Sequence, residues 1–240
     1  MKKLIGLMML LASSLAFASG GMELDSPDID LEDTASLVRG GELFATYCQG
    51  CHSAKHMRYS RIANDLGLAE EVVKKDLIVG PKTIHDSMTT AMDSKESAAW
   101  FLGARPPDLS LITRSRGTAW LYSYLRSFYI DPSRPFGVNN MVYPDVAMPN
   151  VLWELQGHQK AVFNTDDGEK VFARFEHEGS GRMTSDQFDR AMVDLVNFLA
   201  YVGEPSKLQR IALGKYVILF LLLFVFVAYL LKKEYWKDIH

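Results

Sequence analysis

Apolar residues are concentrated near both ends of the chain, and the first concentration predicts a cleaved leader. Met1-Lys2-Lys3 precedes an apolar run from Leu4 to Leu11, which is the build of a secretory signal peptide. Ala16-Phe17-Ala18 fits the small-x-small cleavage pattern, so residues 1–18 are expected to be removed. An uncleaved N-terminal anchor is the alternative, but the apolar run is short for a membrane span.

The second concentration lies near the C-terminus and predicts a transmembrane helix over residues 211–231. No charged residue occurs from Tyr216 to Leu231, and extending the run back to Ile211 adds only Lys215. About twenty apolar positions are enough to cross a bilayer. Because the signal peptide exports the preceding domain, the tail 232–240 is expected to face the cytoplasm.

Between these ends, apolar residues recur with helical spacing, which predicts a mainly α domain over residues 35–205. The clearest helix runs from Thr184 to Gly203, where Thr184 and Gln187 form a capping box. Another helix is expected from Ala35 to Tyr47. Its Gly40-Gly41 pair predicts either a close crossing with another helix or a break.

An aromatic helix is expected from Trp120 to Tyr129, with Trp120, Tyr124 and Phe128 on one stripe. By default such a stripe is core. Part of it is also a candidate to pack on a flat cofactor.

Three stretches lack helical periodicity. Residues 19–34 are acidic and predict a solvated, loosely held arm, with docking of a basic partner as the alternative. Asp131 to Pro149 contains four prolines and predicts a long loop of the kind that is often functional. Residues from Phe163 to Gly181, around Asp167-Gly168, suggest a small hairpin.

The strongest chemical signal is Cys48-Gln49-Gly50-Cys51-His52. Two thiols three residues apart, followed at once by a histidine, are typical of a c-type haem attachment site. On a turn of helix these positions share a face, so both sulfurs can add to the porphyrin vinyl groups. His52 then points at the iron as its proximal ligand.

Other uses of these cysteines fit less well. A redox dithiol needs a thioredoxin-like βαβ setting, which the sequence does not show. A structural zinc site usually needs four Cys or His ligands, and the chain has only two cysteines. A disulfide would close a small, strained loop. Export agrees with haem attachment, which in bacteria takes place beyond the inner membrane.

Length and charge narrow the class of protein further. The 240 residues are enough for one good-sized core plus appendages. The formal net charge of −3 gives no sign of nucleic-acid binding.

A second protein ligand to the iron would favour electron transfer over ligand chemistry. Met148 stands out among the candidates because Met148-Pro149 lies in the proline-rich loop, where a sulfur can be aimed without satisfying helix packing. The sequence leaves other candidates open: Met57, Met88, Met141, Met183, His85 and His158.

Taken together, these residues resemble the cytochrome c1 subunit of the cytochrome bc1 complex, of bacterial type. The resemblance covers nearly the whole mature chain. It is carried by the haem motif, Arg105-Pro106-Pro107-Asp108-Leu109-Ser110, Arg114-Ser115-Arg116, Ala147-Met148-Pro149 and the single C-terminal span.

The resemblance implies a fold similar to a class I cytochrome c with long insertions, carrying one covalently bound haem c. It implies that Met148 is the second axial ligand, that Arg116 lies near a haem propionate and that Pro107 packs near the haem edge. Phe101-Leu102-Gly103 departs from the family, whose members often carry asparagines just before the Gly-x-x-Pro-Pro stretch.

The resemblance also implies a place in a respiratory chain. Electrons would pass from the Rieske iron–sulfur protein to this haem and on to a cytochrome c, with cytochrome b as membrane partner in a dimeric complex. The subunit would not be catalytic alone, and its haem domain would face the periplasm from the bacterial inner membrane. Alternatives are a free-standing membrane-anchored shuttle, a haem subunit of a terminal oxidase, and a haem enzyme or gas sensor with an open sixth position.

Overall fold

The computed structural model describes residues 22–90, 92–101, 103–166 and 169–237, and its fold is mainly α. The predicted signal peptide and its cleavage site lie outside the described residues. The helices are α1 Thr34–Leu43, α2 Tyr59–Leu66, α3 Glu70–Asp76, α4 Ser94–Trp100, α5 Ile112–Ser115, α6 Thr118–Arg126, α7 Trp153–Gln156, α8 Ser185–Gly203 and α9 Lys207–Tyr235. The strands are β1 Ala54–Arg58, β2 Ser87–Met88, β3 Phe128–Ile130, β4 Val138–Asn140, β5 His158–Asp166 and β6 Glu169–Glu178.

Within the described ranges the strands form three antiparallel pairs, β1 with β2, β3 with β4, and β5 with β6. The last pair is the hairpin expected between Phe163 and Gly181, and it begins earlier, at His158. The turn expected at Asp167-Gly168 lies outside the described residues.

The described residues divide into two compact units, and the first consists of residues 22–27, 95–101, 103–105, 119–166 and 169–192. Its core lies around α6, where Leu121 and Leu125 are buried, as are Leu155 of α7 and Phe188 of α8. Burying each of these side chains stabilises the fold by about 1.5–3 kcal/mol before entropic costs.

The aromatic stripe of the first unit is continuous, although its helix is shorter than expected. Trp120 stacks on Tyr124 at 5.0 Å between ring centroids, and Phe128 meets Tyr124 edge-on at 5.2 Å. The predicted helix to Tyr129 is wrong beyond Arg126, because Phe128 belongs to β3. The side-chain amide of Gln159 donates to the carbonyls of Arg126 and Phe128, and these bonds hold the extended backbone in place of a helical one.

The second unit consists of residues 28–90, 92–94, 106–118 and 193–237. Helix α1 begins at the N-cap Asp33 and continues into a π-helical turn, Phe44–Cys48, which leads into the cysteine motif. Gly40 lies against α8: a Cβ on Gly40 would stand 2.0 Å from the carbonyl oxygen of Asp194. Of the two predictions for the glycine pair, the close helix crossing is therefore confirmed.

Helix α8 begins as its sequence predicts. The Thr184 hydroxyl accepts the N–H of Gln187 at 3.3 Å, and the Gln187 side-chain oxygen accepts the N–H of Thr184 at 2.9 Å. This reciprocal pair satisfies two of the N–H groups that a helix start leaves without partners. The capping box is confirmed.

The acidic N-terminal segment is held at several points. In the first unit, Arg126 binds Asp25 at 2.5 Å. In the second unit, Asn197 donates to the carbonyl of Asp30 at 2.6 Å, and Asp33 accepts the N–H of Ser36 at 2.9 Å. The prediction of a loosely held arm is wrong at these residues, because each forms an ion pair or a hydrogen bond with a residue on a helix.

Helix α9 has 29 residues, and among the described residues it is the one long and apolar enough to cross a membrane. Its large apolar side chains from Tyr216 to Leu231 are exposed. An exposed apolar surface of this kind costs free energy in water and is stable in the hydrocarbon of a bilayer. The helix begins four residues before the predicted span and ends four residues after it, which fits lysine-bearing turns at both interfaces.

Candidate haem-binding site

The cysteine motif forms a tight turn at the end of the π-helical segment. The N–H groups of Cys51 and His52 both donate to the carbonyl of Cys48, at 3.1 and 2.8 Å. Gly50 and Ser53 of the same turn are held by Thr90, whose hydroxyl donates to the Gly50 carbonyl at 2.6 Å and whose N–H donates to the Ser53 hydroxyl at 2.9 Å. Thr90 therefore fixes the turn by binding the residue before Cys51 and the residue after His52.

His52 is oriented by the double-proline segment. Its Nδ1 lies 2.8 Å from the carbonyl oxygen of Pro107, which can only accept, so Nδ1 carries the proton and donates. Nε2 is then the unprotonated nitrogen, with its lone pair available to a metal. Burial lowers the pKa of His52, because its effect outweighs the raising effect of the Pro107 hydrogen bond. The lowered pKa also favours the neutral imidazole.

The two thiols are free in the structure, with Cys48 buried and Cys51 partly buried. Burial raises the pKa of Cys48 to about 12, and burial also raises the pKa of Cys51. Redox dithiols and zinc thiolates need the opposite environment, which lowers the thiol pKa. In the described part of the chain no three His, Cys, Asp or Glu side chains cluster as a metal-ion ligand set. Two unpaired thiols and a neutral imidazole with a free Nε2 form a donor set that fits covalently attached haem.

Asp108 anchors the segment that orients His52. Its carboxylate accepts the N–H of Lys55 and the N–H of Ser110, both at 3.0 Å. The N–H of Leu109 donates to the Ser53 carbonyl at 2.7 Å. Burial alone would raise the pKa of Asp108, but hydrogen bonds from Ser110 and Lys55 outweigh it, so the pKa is lowered.

This lowered pKa of Asp108 predicts a loss of stability in acid. The carboxylate contributes its full stabilisation above the unfolded-state pKa of about 4 and loses it as the pH falls through the lower native pKa. Asp108→Asn should therefore destabilise the protein at about pH 7 and much less at about pH 3. Urea midpoints of the haem-loaded protein at both pH values measure this. Glu42→Gln, an exposed change on α1, is the control. An equal loss at both pH values would contradict the assignment.

Met148 has a defined environment within the first unit. It lies in the loop after β4, and its Sδ accepts a hydrogen bond from the Tyr124 hydroxyl at 3.3 Å. Burial raises the pKa of Tyr124, so this hydroxyl stays protonated at neutral pH. Sequence reasoning placed Tyr124 in the core stripe and missed its polar contact, because periodicity reports which face is buried and nothing about where a hydroxyl points.

Two asparagines fix the loop that carries Met148. Asn140 is fully buried. Its Oδ1 accepts from the Ser127 hydroxyl and from the backbone N–H groups of Val142 and Tyr143, each at 3.0 Å. Its Nδ2 donates to the Tyr124 carbonyl at 2.8 Å. Asn139 accepts the N–H of Asp145 at 2.8 Å. Proline content predicted a loop over Asp131–Pro149, but this is wrong at Val138–Asn140, which form β4 because they pair with β3. It also gave no signal for the two asparagines.

Asn140→Ala is expected to lower the free energy of unfolding by roughly 2–4 kcal/mol, because it leaves several buried polar groups without partners. Urea unfolding of the haem-loaded protein measures this. Asn164→Ala, at an exposed position of β5, is the matched control and should stay within about 0.5 kcal/mol of the parent. Equal effects of the two changes would show that the loop does not depend on Asn140.

The other ligand candidates occupy different surroundings. Met57 and Met88 are buried core residues on β1 and β2. His158 stacks on Trp153 at 5.5 Å, and His85 is exposed. Met141 and Met183 are half-buried.

The two further residues named for haem contact lie in the second unit. Arg116 is exposed at the C-terminal end of α5, where its backbone N–H donates to the Ile112 carbonyl. Pro107 is exposed, and its carbonyl is the partner of His52. The sequence had suggested only a packing role for Pro107. The propionate contact of Arg116 stays a prediction.

Comparison with known proteins decides the family. The model of the Cytochrome C1 family matches residues 29–239, well over half of the chain. The chain belongs to the cytochrome c1 family. As a cytochrome c1 it carries one covalently bound haem c and has an electron-transfer role, and the mainly α fold agrees with this membership.

Similar proteins include a cytochrome c1 of Allochromatium vinosum, which is 46% identical over 245 residues that cover all of both chains. A protein named ammonia monooxygenase gamma subunit, from Nitrosomonas europaea, is 45% identical over 241 residues, covering 100% of this chain and 99% of the relative. A protein named cytochrome b/c1, from Bradyrhizobium diazoefficiens, is 26% identical over 240 residues, covering 87% of this cytochrome c1 and 34% of that relative.

Proposed function

We propose that this cytochrome c1 accepts electrons from a Rieske iron–sulfur protein and passes them to a cytochrome c, as a subunit of a bc1 complex in a respiratory chain. The observation that carries the proposal is the family membership combined with His52, whose Nε2 is left free for iron by the bond from Nδ1 to Pro107. The Bradyrhizobium relative named cytochrome b/c1 supports cytochrome b as the membrane partner. The parent complex is proposed to be dimeric.

Each site residue has a distinct proposed task. Cys48 and Cys51 would hold the haem through thioethers, His52 would bind its iron through Nε2, and Met148 would bind the iron through its sulfur. Arg116 offers a guanidinium to a propionate, an arrangement that suits a planar donor facing a carboxylate. The haem supplies a one-electron couple. The chain would hold this couple, and no bond of a substrate would be made or broken in this subunit, so we do not expect it to be catalytic alone.

Membrane attachment is proposed for α9. Residues 1–18 are the leader, residues 35–205 form the periplasmic domain, the span covers 211–231 and the tail 232–240 is cytoplasmic. Glu204 supports a firm junction before α9, because it accepts from Arg114 at 2.9 Å and from Arg210 at 2.6 Å. A free shuttle usually joins its anchor to its haem domain through a flexible linker, so this junction favours a docked subunit.

A chain ending at Ser206 tests the anchor. Because it lacks the apolar helix, we expect it to leave the membrane fraction after high-salt washing, while the full chain stays and needs detergent. Full chain released by salt alone would contradict the anchoring proposal.

The bc1 assignment is tested by purifying the C-terminally tagged full chain in mild detergent and recording a reduced-minus-oxidised visible spectrum. We expect a c-type band together with b-type bands and a co-purifying iron–sulfur subunit. A lone c-type band, from membranes whose other complexes stay whole, would point to a free-standing shuttle. Co-purification with ammonia monooxygenase subunits would move the assignment toward the role in the name of the Nitrosomonas relative.

A further inference from the structure

The sulfur of Met148 has a hydrogen-bond donor within reach. The Tyr124 hydroxyl donates to Sδ at 3.3 Å, and both residues belong to the first unit. A thioether sulfur is a weak acceptor with two lone pairs. One lone pair can therefore accept this hydrogen bond while the other is directed at a metal.

The Tyr124 side chain is locked in position. Its ring is stacked on Trp120 with 9° between the planes and meets Phe128 edge-on. Its backbone carbonyl accepts from the Asn140 side-chain amide at 2.8 Å. Because the same Asn140 side chain holds the start of the loop that carries Met148, the donor and the sulfur are fixed to one framework.

We propose that Tyr124 is a positioning residue that raises the reduction potential of the haem through its hydrogen bond to the Met148 sulfur. This rests on the proposed role of Met148 as axial ligand. The hydroxyl acts on the ligand and not on the iron.

The direction follows from electron donation. A hydrogen bond withdraws electron density from the sulfur and makes it a weaker donor. Ferric iron, the harder and more highly charged state, is more sensitive than ferrous iron to a loss of σ donation. The overall preference of a thioether for ferrous iron rests on the softness of sulfur, which the hydrogen bond leaves in place. The oxidised state therefore loses more stabilisation, and the reduced state is favoured.

Tyr124→Phe tests the proposal in the haem-loaded full chain, because it removes the hydroxyl and keeps the ring between Trp120 and Phe128. At a fixed ambient potential the ratio of reduced to oxidised haem should fall about threefold to tenfold, which equals about 30–60 mV for a one-electron couple. Tyr122→Phe is the matched control on the same helix, since Tyr122 is also buried but its ring lies under the Arg126 guanidinium, 4.6 Å away.

Two readouts separate this proposal from the ligand assignment on which it rests. The far-red charge-transfer band of ferric iron bound to thioether sulfur should be present in the parent and in Tyr124→Phe, and absent in Met148→Leu. A band that Met148→Leu leaves intact would overturn the ligand assignment, and this proposal with it. If that band behaves as expected but Tyr124→Phe leaves the potential equal to that of Tyr122→Phe, only the role of Tyr124 is overturned.

Discussion

Replacing Met148 by leucine is expected to lower the reduction potential of the haem by roughly 0.1–0.3 V and to convert the ferric form to high spin. The soft, neutral thioether favours ferrous iron, and leucine offers no lone pair in its place. Leucine is close to methionine in volume, so packing should change little. Stability should still fall by roughly 1–3 kcal/mol, because the Tyr124 hydroxyl loses its acceptor. A redox titration followed by visible spectroscopy measures both changes.

Met141→Leu is the matched control for this prediction, because Met141 lies in the same loop and was one of the open candidates. It should leave both potential and spin state unchanged. If Met141→Leu produces the spectral change and Met148→Leu does not, the ligand is Met141. If neither changes the spectrum, the sixth position is not held by this loop and the gas-sensor alternative gains weight.

Gly40→Ala is expected to lower the free energy of unfolding by roughly 3 kcal/mol or more, or to prevent accumulation of the haem-loaded protein. The added methyl group would stand 2.0 Å from the carbonyl oxygen of Asp194 and 2.7 Å from the Cβ of Phe198. The neighbouring atoms include backbone of the 19-residue helix α8, which cannot turn aside as a flexible side chain can. Alanine gains only about 1 kcal/mol in helix propensity, so the clash wins.

Gly214→Ala provides the control, since Gly214 is also helical but has nothing within 4 Å of its would-be Cβ apart from its chain neighbours and the backbone of its own helix. Thermal unfolding of the haem domain, followed by circular dichroism, should be unaffected by this change. A Gly40→Ala variant within about 1 kcal/mol of the parent would mean that α1 and α8 do not cross as closely as the structure places them.

Local signals predicted much of this fold. The capping box predicted the start of α8. The glycine pair in α1 was compatible with a close helix crossing or a break, and the position of Asp194 beside Gly40 shows that the crossing occurs. The aromatic stripe was right about contact but wrong about helix length. Its end is fixed by Gln159, more than thirty residues later, and a pattern read along the chain carries no information about such a partner.

In the site too, features set by neighbouring residues could be predicted, and contacts between residues far apart in the sequence could not. The spacing of Cys48, Cys51 and His52 is chemical and local, so it could be recognised directly. The Pro107 carbonyl that orients His52, and the Tyr124 hydroxyl beside Met148, depend on contacts between residues 55 and 24 positions apart. The proline-rich loop alone singled out Met148 among several candidates, and the family resemblance then selected it. Pro107 was named only through the resemblance, and the polar role of Tyr124 was missed.

Quinol-driven reduction of the haem tests the central claim most directly. In membranes that contain the full chain, adding a reduced quinol should reduce the c-type haem, and an inhibitor of the quinol-oxidation site should block this. Added ferric cytochrome c should then reoxidise it. A c-type haem that dithionite reduces but quinol does not, in membranes whose b-type haems respond to quinol, would contradict the proposed place of this cytochrome c1 in electron transfer.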